Sequence, residues 1–273
     1  MSLVSSIRDG LRVGLRSGLD ADGFFQQGAT KKAALIFLQS NALGPGTGVA
    51  QEAIEVGISN DYPNVKITRR SANNIGPPPT FVAEGPEDLQ PATVFVGVNF
   101  PIDHAGIELK LGRALDALDP NEWVIIIMAI NGSGLHDEWN NPAYPGGGEL
   151  PLLTQLVNEI DARLVAMDAY LELVVPIGLE SDSGESPDVT SVRTNFESVV
   201  VQRLGNRYGP FFTVIPRLSH HSAAGGSIPT AIAGTFDFAN ANARIGVVNT
   251  NDLTLQVDNV HYADAGLITL GSR

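Results

Sequence analysis

Residues 33–48 read AALIFLQSNALGPGTG, an apolar run that passes through Gln39, Ser40 and Asn41 and then into glycines. An uncharged stretch from Ala33 to Leu38 suits a strand covered on both faces, and the glycines beyond let the backbone turn sharply as it leaves the core. The feature to explain is the lone serine at that exit.

Four more runs share the pattern: TVFVGV (93–98), WVIIIMAI (123–130), LELVVP (171–176) and FFTVI (211–215). Continuous apolarity without alternation is the mark of parallel strands buried on both sides. Between them, 104–118, 150–171 and 189–207 carry helical spacing. In the second, Leu153, Leu156, Ile160, Leu164 and Met167 form one apolar stripe. Strands alternating with helices predict an α/β fold, a three-layer αβα sandwich around a mainly parallel sheet.

With 273 residues, 43% hydrophobic and 17% charged, the chain can bury one sizeable core, and one main domain is expected over 29–273. A formal charge of −13 repels phosphate backbones, and no cluster of Lys and Arg opposes it, so nucleic acid is not an expected partner. The chain has no cysteine, which excludes thiolate nucleophiles, disulfides and cysteine-ligated metal. The longest apolar run is 123–130, far short of the roughly 20 residues a membrane helix needs. The N-terminal MSLVSSIRDGLRVG meets charge too early for a secretory signal, so a soluble chain without a membrane partner is expected. Within 1–28, Ile7, Leu11, Leu15 and Leu19 alternate with Gly10, Gly14 and Gly18 at four-residue steps. Each glycine costs a helix about 1 kcal/mol relative to alanine. The segment therefore needs a surface to lie on, either its own domain or a docking partner in an oligomer or larger assembly.

In an open α/β sheet, ligands gather at the carboxyl ends of the strands, which is where Ser40 falls. A serine hydroxyl becomes a nucleophile once a base takes its proton, and the base is held in place by a carboxylate. Of the histidines, His104 opens a predicted helix, His136 follows a glycine loop, and His220 and His221 are adjacent, a poor spacing for one metal. His261 lies three residues after Asp258 in VDNVHYADAG, behind the strand-like LTLQV. That spacing lets the aspartate fix the imidazole tautomer and leaves the other ring nitrogen for Ser40.

Four blocks in order then resemble the SGNH hydrolases, and among them the carbohydrate esterases that include sialate O-acetylesterases and acetylxylan esterases. LQSNALG is similar to GQSNM-x-G, with Ser40, Asn41 and Gly44 matched and Leu38 and Ala42 standing for the glycine and methionine. NGSGLHDEW is similar to a GGT block followed by tryptophan, matching Gly132 and Trp139. GLESD resembles QGESD through Glu180, Ser181 and Asp182, and DNVHYADAG resembles DGVHxxxxG through Asp258, His261 and Gly266.

The resemblance implies an open, flavodoxin-like αβα sheet and a cofactor-free serine esterase acting on O-acetylated glycan or polysaccharide, with Ser40, His261 and Asp258 as the triad. It puts backbone N–H groups of Ser40 and Gly132 in the oxyanion hole. Gly178 and Leu179 replace the Gln-Gly of the third block, so a side-chain donor is absent. Losing one such donor typically costs about 100- to 1000-fold, and Asn131 or Asn41 is the expected substitute. Asn41, Trp139, Glu180 and Asp182 are the candidate substrate contacts. Trp139 suits either stacking on a pyranose or ordinary packing, and Glu180 and Asp182 either orient substrate or form a carboxylate cluster at a helix N-terminus. The alternative function is a structural or receptor-binding protein of a phage tail or similar particle, holding glycan with an esterase-like domain.

Overall fold

The computed structural model describes residues 29–38, 40–42, 64–72, 81–88, 92–95, 98–104, 106–119, 122–130, 133–141, 151–177, 194–217, 244–256 and 261–273. Strands β1 (Lys31–Leu38) and β6 (Trp123–Ile130) form its centre, and every side chain of β6 is buried. Lys32 is buried within β1 because its ammonium pairs with Asp119 and lies 5.6 Å over the Trp123 ring.

Around this pair stand β2 (Val65–Ala72), β3 (Phe81–Asp88), β7 (Ala169–Ile177), β8 (Phe212–Pro216) and β9 (Ile245–Val248). The seven strands run in the order β3-β2-β6-β1-β7-β8-β9, all neighbours parallel except the β2–β3 pair at one edge. β3 carries Glu84, Pro86, Glu87 and Asp88, residues suited to an edge that discourages further pairing.

Helices cover both faces. Ala33, Leu35 and Phe37 of β1 pack with Leu156, Ile160 and Leu164 of α2 (Leu152–Met167) and with Phe196, Val199 and Leu204 of α3 (194–208). On the opposite face Ala34 and Ile36 pack with Leu109 and Leu115 of α1 (Glu108–Leu118) and with Leu267 and Leu270 of α4 (Asp264–Gly271). The expected three-layer αβα sandwich with a mainly parallel sheet is therefore present. The predicted stripe on α2 faces the core through Leu156, Ile160 and Leu164, with Leu153 and Met167 partly buried at its margin.

Three local readings change. The run 93–98 is not a strand of the main sheet: β4 (Ala92–Phe95) and β5 (Val98–His104) form a separate antiparallel pair in which Phe95 faces Val98. Only Val96 and Gly97 separate the two strands in sequence, the length of a tight hairpin connection. His104 ends β5 instead of opening a helix, and α1 starts at Glu108. LTLQV is not a strand; Leu255 makes a single antiparallel bridge, to Tyr262.

An ion pair that the sequence does not announce joins β2 to α1. The Arg69 guanidinium lies 3.3 Å from the Glu108 carboxylate, at 3% and 0% side-chain exposure. Glu108 Oε1 also accepts the Gly106 N–H at 3.2 Å, and Oε2 has no hydrogen-bond partner among the described residues. A side chain at residue 106 would collide with that carboxylate, since its Cβ would stand 2.0 Å from Oε2. Burial pushes the Glu108 carboxyl above its ordinary pKa, and Arg69 pulls it part of the way back.

Among the described residues no helix is long and apolar enough to cross a membrane. The segment 1–28, for which docking is one of the two expectations, lies outside the described residues, as do the glycine-rich 44–48 and the small-residue stretch 218–243.

Candidate active site

The carboxyl ends of three adjacent strands frame the site. Leu38, the last residue of β1, pairs with Ala129 of β6 on one side and Ile177 of β7 on the other. In sequence the first three blocks follow these adjacent strand ends: Ser40 after β1, 131–139 after β6 and 178–182, outside the described residues, after β7. The backbone of Ser40–Ala42 makes one 3-10 turn directly beyond β1.

The fourth block reaches the same place from more than two hundred positions away. The Tyr262 N–H donates to Asn41 Oδ1 at 3.1 Å, a buried bond between residues 221 positions apart. Asn41 and Tyr262 are the immediate neighbours of Ser40 and His261, so this bond holds the serine turn against the histidine limb. The limb is fastened in turn: Gln256 N–H donates to His261 O at 2.8 Å, Gln256 Nε2 to Tyr262 O at 3.2 Å, and Ala263 N–H to Thr254 O at 2.9 Å. His261 itself is half-buried. Asp258 lies outside the described residues, in the four-residue connection 257–260 between the bonded flanks Gln256 and His261.

The closing glycine of the fourth block has a steric reason. A Cβ on Gly266 would lie 2.6 Å from the Thr254 carbonyl oxygen, closer than carbon and oxygen approach. Gly266→Ala is therefore expected to force α4 off the 254–256 segment and cost about 1–3 kcal/mol of stability, as overpacking does. A urea titration measures this, and an unchanged midpoint would show that the contact is loose.

The 131–139 block is built around Ser133. Its hydroxyl accepts the Trp139 indole N–H at 2.8 Å and stands 3.1 Å from Leu38 O and 2.9 Å from Ile130 O. Leu135–Trp139 makes a single π-type turn. The Gly134 N–H donates to Glu138 Oε2 at 2.7 Å.

Compared with models of known protein families and with curated protein sequences, the chain matches none. Among solved structures it is similar to a protein from Arabidopsis thaliana, at TM-score 0.60 and 14% identity, over 89% of this chain and 95% of that one. It is similar as well to a carbohydrate acetylesterase from Xanthomonas citri, at TM-score 0.56 and 15% identity. That likeness covers 89% of this chain and 54% of the Xanthomonas chain. At these identities the likeness is one of fold: the chain shares the αβα architecture of these two proteins.

Two candidate substrate contacts are placed differently in this sheet than a sugar-binding role requires. Trp139 is 1% exposed, its ring edge-on to Phe37 at a centroid distance of 5.7 Å; it is a core residue and not a platform for sugar. Asn41 is fully buried, its carboxamide oxygen engaged by Tyr262, and works as a clamp inside the fold. Asn131, Gly132, Glu180 and Asp182 lie outside the described residues, and the side chain of Ser40 is likewise not described. Sequence reasoning missed Ser133, although its signal was present: a hydroxyl residue six positions before a tryptophan, at the exit of an apolar strand. Among the described residues no three His, Asp or Glu side chains gather as a metal-binding group.

Proposed function

We propose that this chain is a serine esterase that removes O-acetyl groups from carbohydrate through an acyl-enzyme. The observation that carries the proposal is the buried Asn41–Tyr262 bond, which sets the Ser40 turn beside the His261 limb at the carboxyl end of the central strand. Ser40 Oγ attacks the ester carbonyl while His261 takes its proton, and Asp258 stabilises the imidazolium. The oxyanion is met by the backbone N–H groups of Ser40 and Gly132, with Asn131 as the side-chain donor. His261 then returns the proton to the departing sugar hydroxyl, and water, activated by the same imidazole, releases acetate.

Glu180 and Asp182, on the segment after β7, are assigned to orienting the sugar. Residues 29–273 form the catalytic unit, and 1–28 are its docking segment. The four sequence blocks and the likeness to a carbohydrate acetylesterase at the level of fold support the choice of acetylated glycan.

The experiment is acetate release from 4-nitrophenyl acetate and from O-acetylated sugars, alongside labelling by a serine-directed fluorophosphonate. Turnover of acetyl esters is expected, with longer acyl esters slower, and one label per chain on Ser40. Neither turnover nor labelling at any substrate would overturn the proposal; turnover of aryl acetate without any acetylated sugar would remove the carbohydrate assignment.

A further inference from the structure

The residue that ends β1 has a backbone conformation leucine rarely adopts. Leu38 stands at φ 120°, in the region open chiefly to glycine, where a side-chain-bearing residue costs on the order of 1–3 kcal/mol and persists only when its surroundings over-determine it. Those surroundings are visible. The Leu38 side chain is fully buried among Phe37, Met128 and the helices of one face. Its strand is paired on both sides, to Ala129 and Ile177. Its carbonyl oxygen lies 3.1 Å from the Ser133 hydroxyl.

Ser133 is itself fixed. Its oxygen accepts from Trp139 Nε1, so its single proton serves the two carbonyls it faces, Leu38 O and Ile130 O. Trp139 cannot swing away, because its ring abuts Phe37 and its backbone N–H donates to Gly134 O at 3.1 Å. The contact thus spans the ends of β1 and β6, the strands from which the serine and oxyanion blocks depart.

We infer that Ser133, oriented by Trp139, is a positioning residue for the Ser40 turn. It grips the carbonyl of the peptide just ahead of Gln39 and Ser40, holds Leu38 in a glycine-like conformation, and so sets the direction in which the turn leaves the sheet. This rests on Ser40 being the nucleophile. Without the hydroxyl, Leu38 O and the Trp139 N–H each lose a buried partner, and the Leu38 peptide is free to relax toward an ordinary φ, carrying Ser40 with it.

The test is a cycle of Ser133→Ala and Leu38→Gly, read by urea unfolding and by kcat and KM for 4-nitrophenyl acetate. In the parent, Ser133→Ala is expected to lower kcat on the order of 100-fold, the scale of a 1 Å misplacement, with KM little changed. In the Leu38→Gly background, where the φ is free of strain, the same change is expected to cost less in kcat and more in unfolding midpoint, because no strain is released when the grip is lost. Equal losses in the two backgrounds overturn the inference. Should the Leu38→Gly chain not fold, Ser133→Thr decides: a kcat well above that of Ser133→Ala supports the role of the hydroxyl, and equal values overturn it. The unfolding arm separates the two proposals. A parent without esterase activity defeats the catalytic assignment, yet background-dependent unfolding still identifies the grip on Leu38; an active parent with additive losses defeats the grip alone.

Discussion

A Ser40→Ala chain is expected to lose ester turnover by roughly ten-thousand-fold to a million-fold while unfolding at nearly the parent denaturant midpoint. Both halves follow from where the residue sits. As the proposed nucleophile, Ser40 carries the covalent step, and what remains without it is the smaller acceleration left by substrate binding and oxyanion donors. The turn it occupies, Ser40–Ala42, is tied down through the Asn41 side chain, so the deletion of the Ser40 hydroxyl leaves that fastening in place. His261→Ala is expected to fall on the same scale, and the double variant no lower than either single, because the residues of a triad act as a unit. The measurement is kcat/KM for 4-nitrophenyl acetate with fluorophosphonate labelling as a count of active serines. A Ser40→Ala chain that keeps even a tenth of parent turnover would show that the nucleophile lies elsewhere.

Much of this arrangement was legible in the chain because the central strands are uninterrupted in their apolarity. WVIIIMAI matches β6 residue for residue, and AALIFL falls within β1. Chemistry and block order singled out the serine at the exit and the distant D-x-x-H; of these the structure joins the backbone segments next to Ser40 and His261 through Asn41 and Tyr262. β2 was not legible, because VKITRRSA carries two arginines in what is an interior strand. Arg69 is accommodated there by Glu108, 39 positions later, which meets it inside the core. β4 and β5 were misread since a short apolar run has the same composition in a hairpin as in a parallel sheet. Trp139 was left open for a related reason: an indole beside a glycine block looks the same whether it faces sugar or fills a core, and only the Ser133 and Phe37 contacts decide.

That buried pair gives the second large effect. Arg69→Met is expected to destabilise the fold by about 3–5 kcal/mol at pH 8, since removing one member of a buried ion pair strands the other as an uncompensated charge. The loss should depend on pH in a definite direction. Burial already raises the Glu108 pKa and Arg69 lowers it, so without Arg69 the carboxyl shifts further upward. A group with a raised folded pKa favours the folded state fully below its unfolded pKa of about 4.3 and loses that contribution as pH rises through the folded value. The difference between parent and variant should therefore shrink steadily from pH 8 toward pH 5, as Glu108 takes up a proton and no longer needs its partner. Urea titrations of both chains across that range provide the test. A difference that stays constant with pH would mean that Glu108 remains ionised without Arg69.

The Asn41–Tyr262 clamp bears on how the protein is born as well as on how it works. Its two halves are 221 positions apart in the chain. At a synthesis rate of about 5–20 residues per second, the serine turn emerges from the ribosome roughly 10 to 45 seconds before the limb that completes it. During that interval the nascent polypeptide holds the serine turn without its clamp, and the arrangement proposed for acyl transfer is completed only once Tyr262 has emerged. The proposed chemistry would thereby wait until the limb after β9 has joined the sheet.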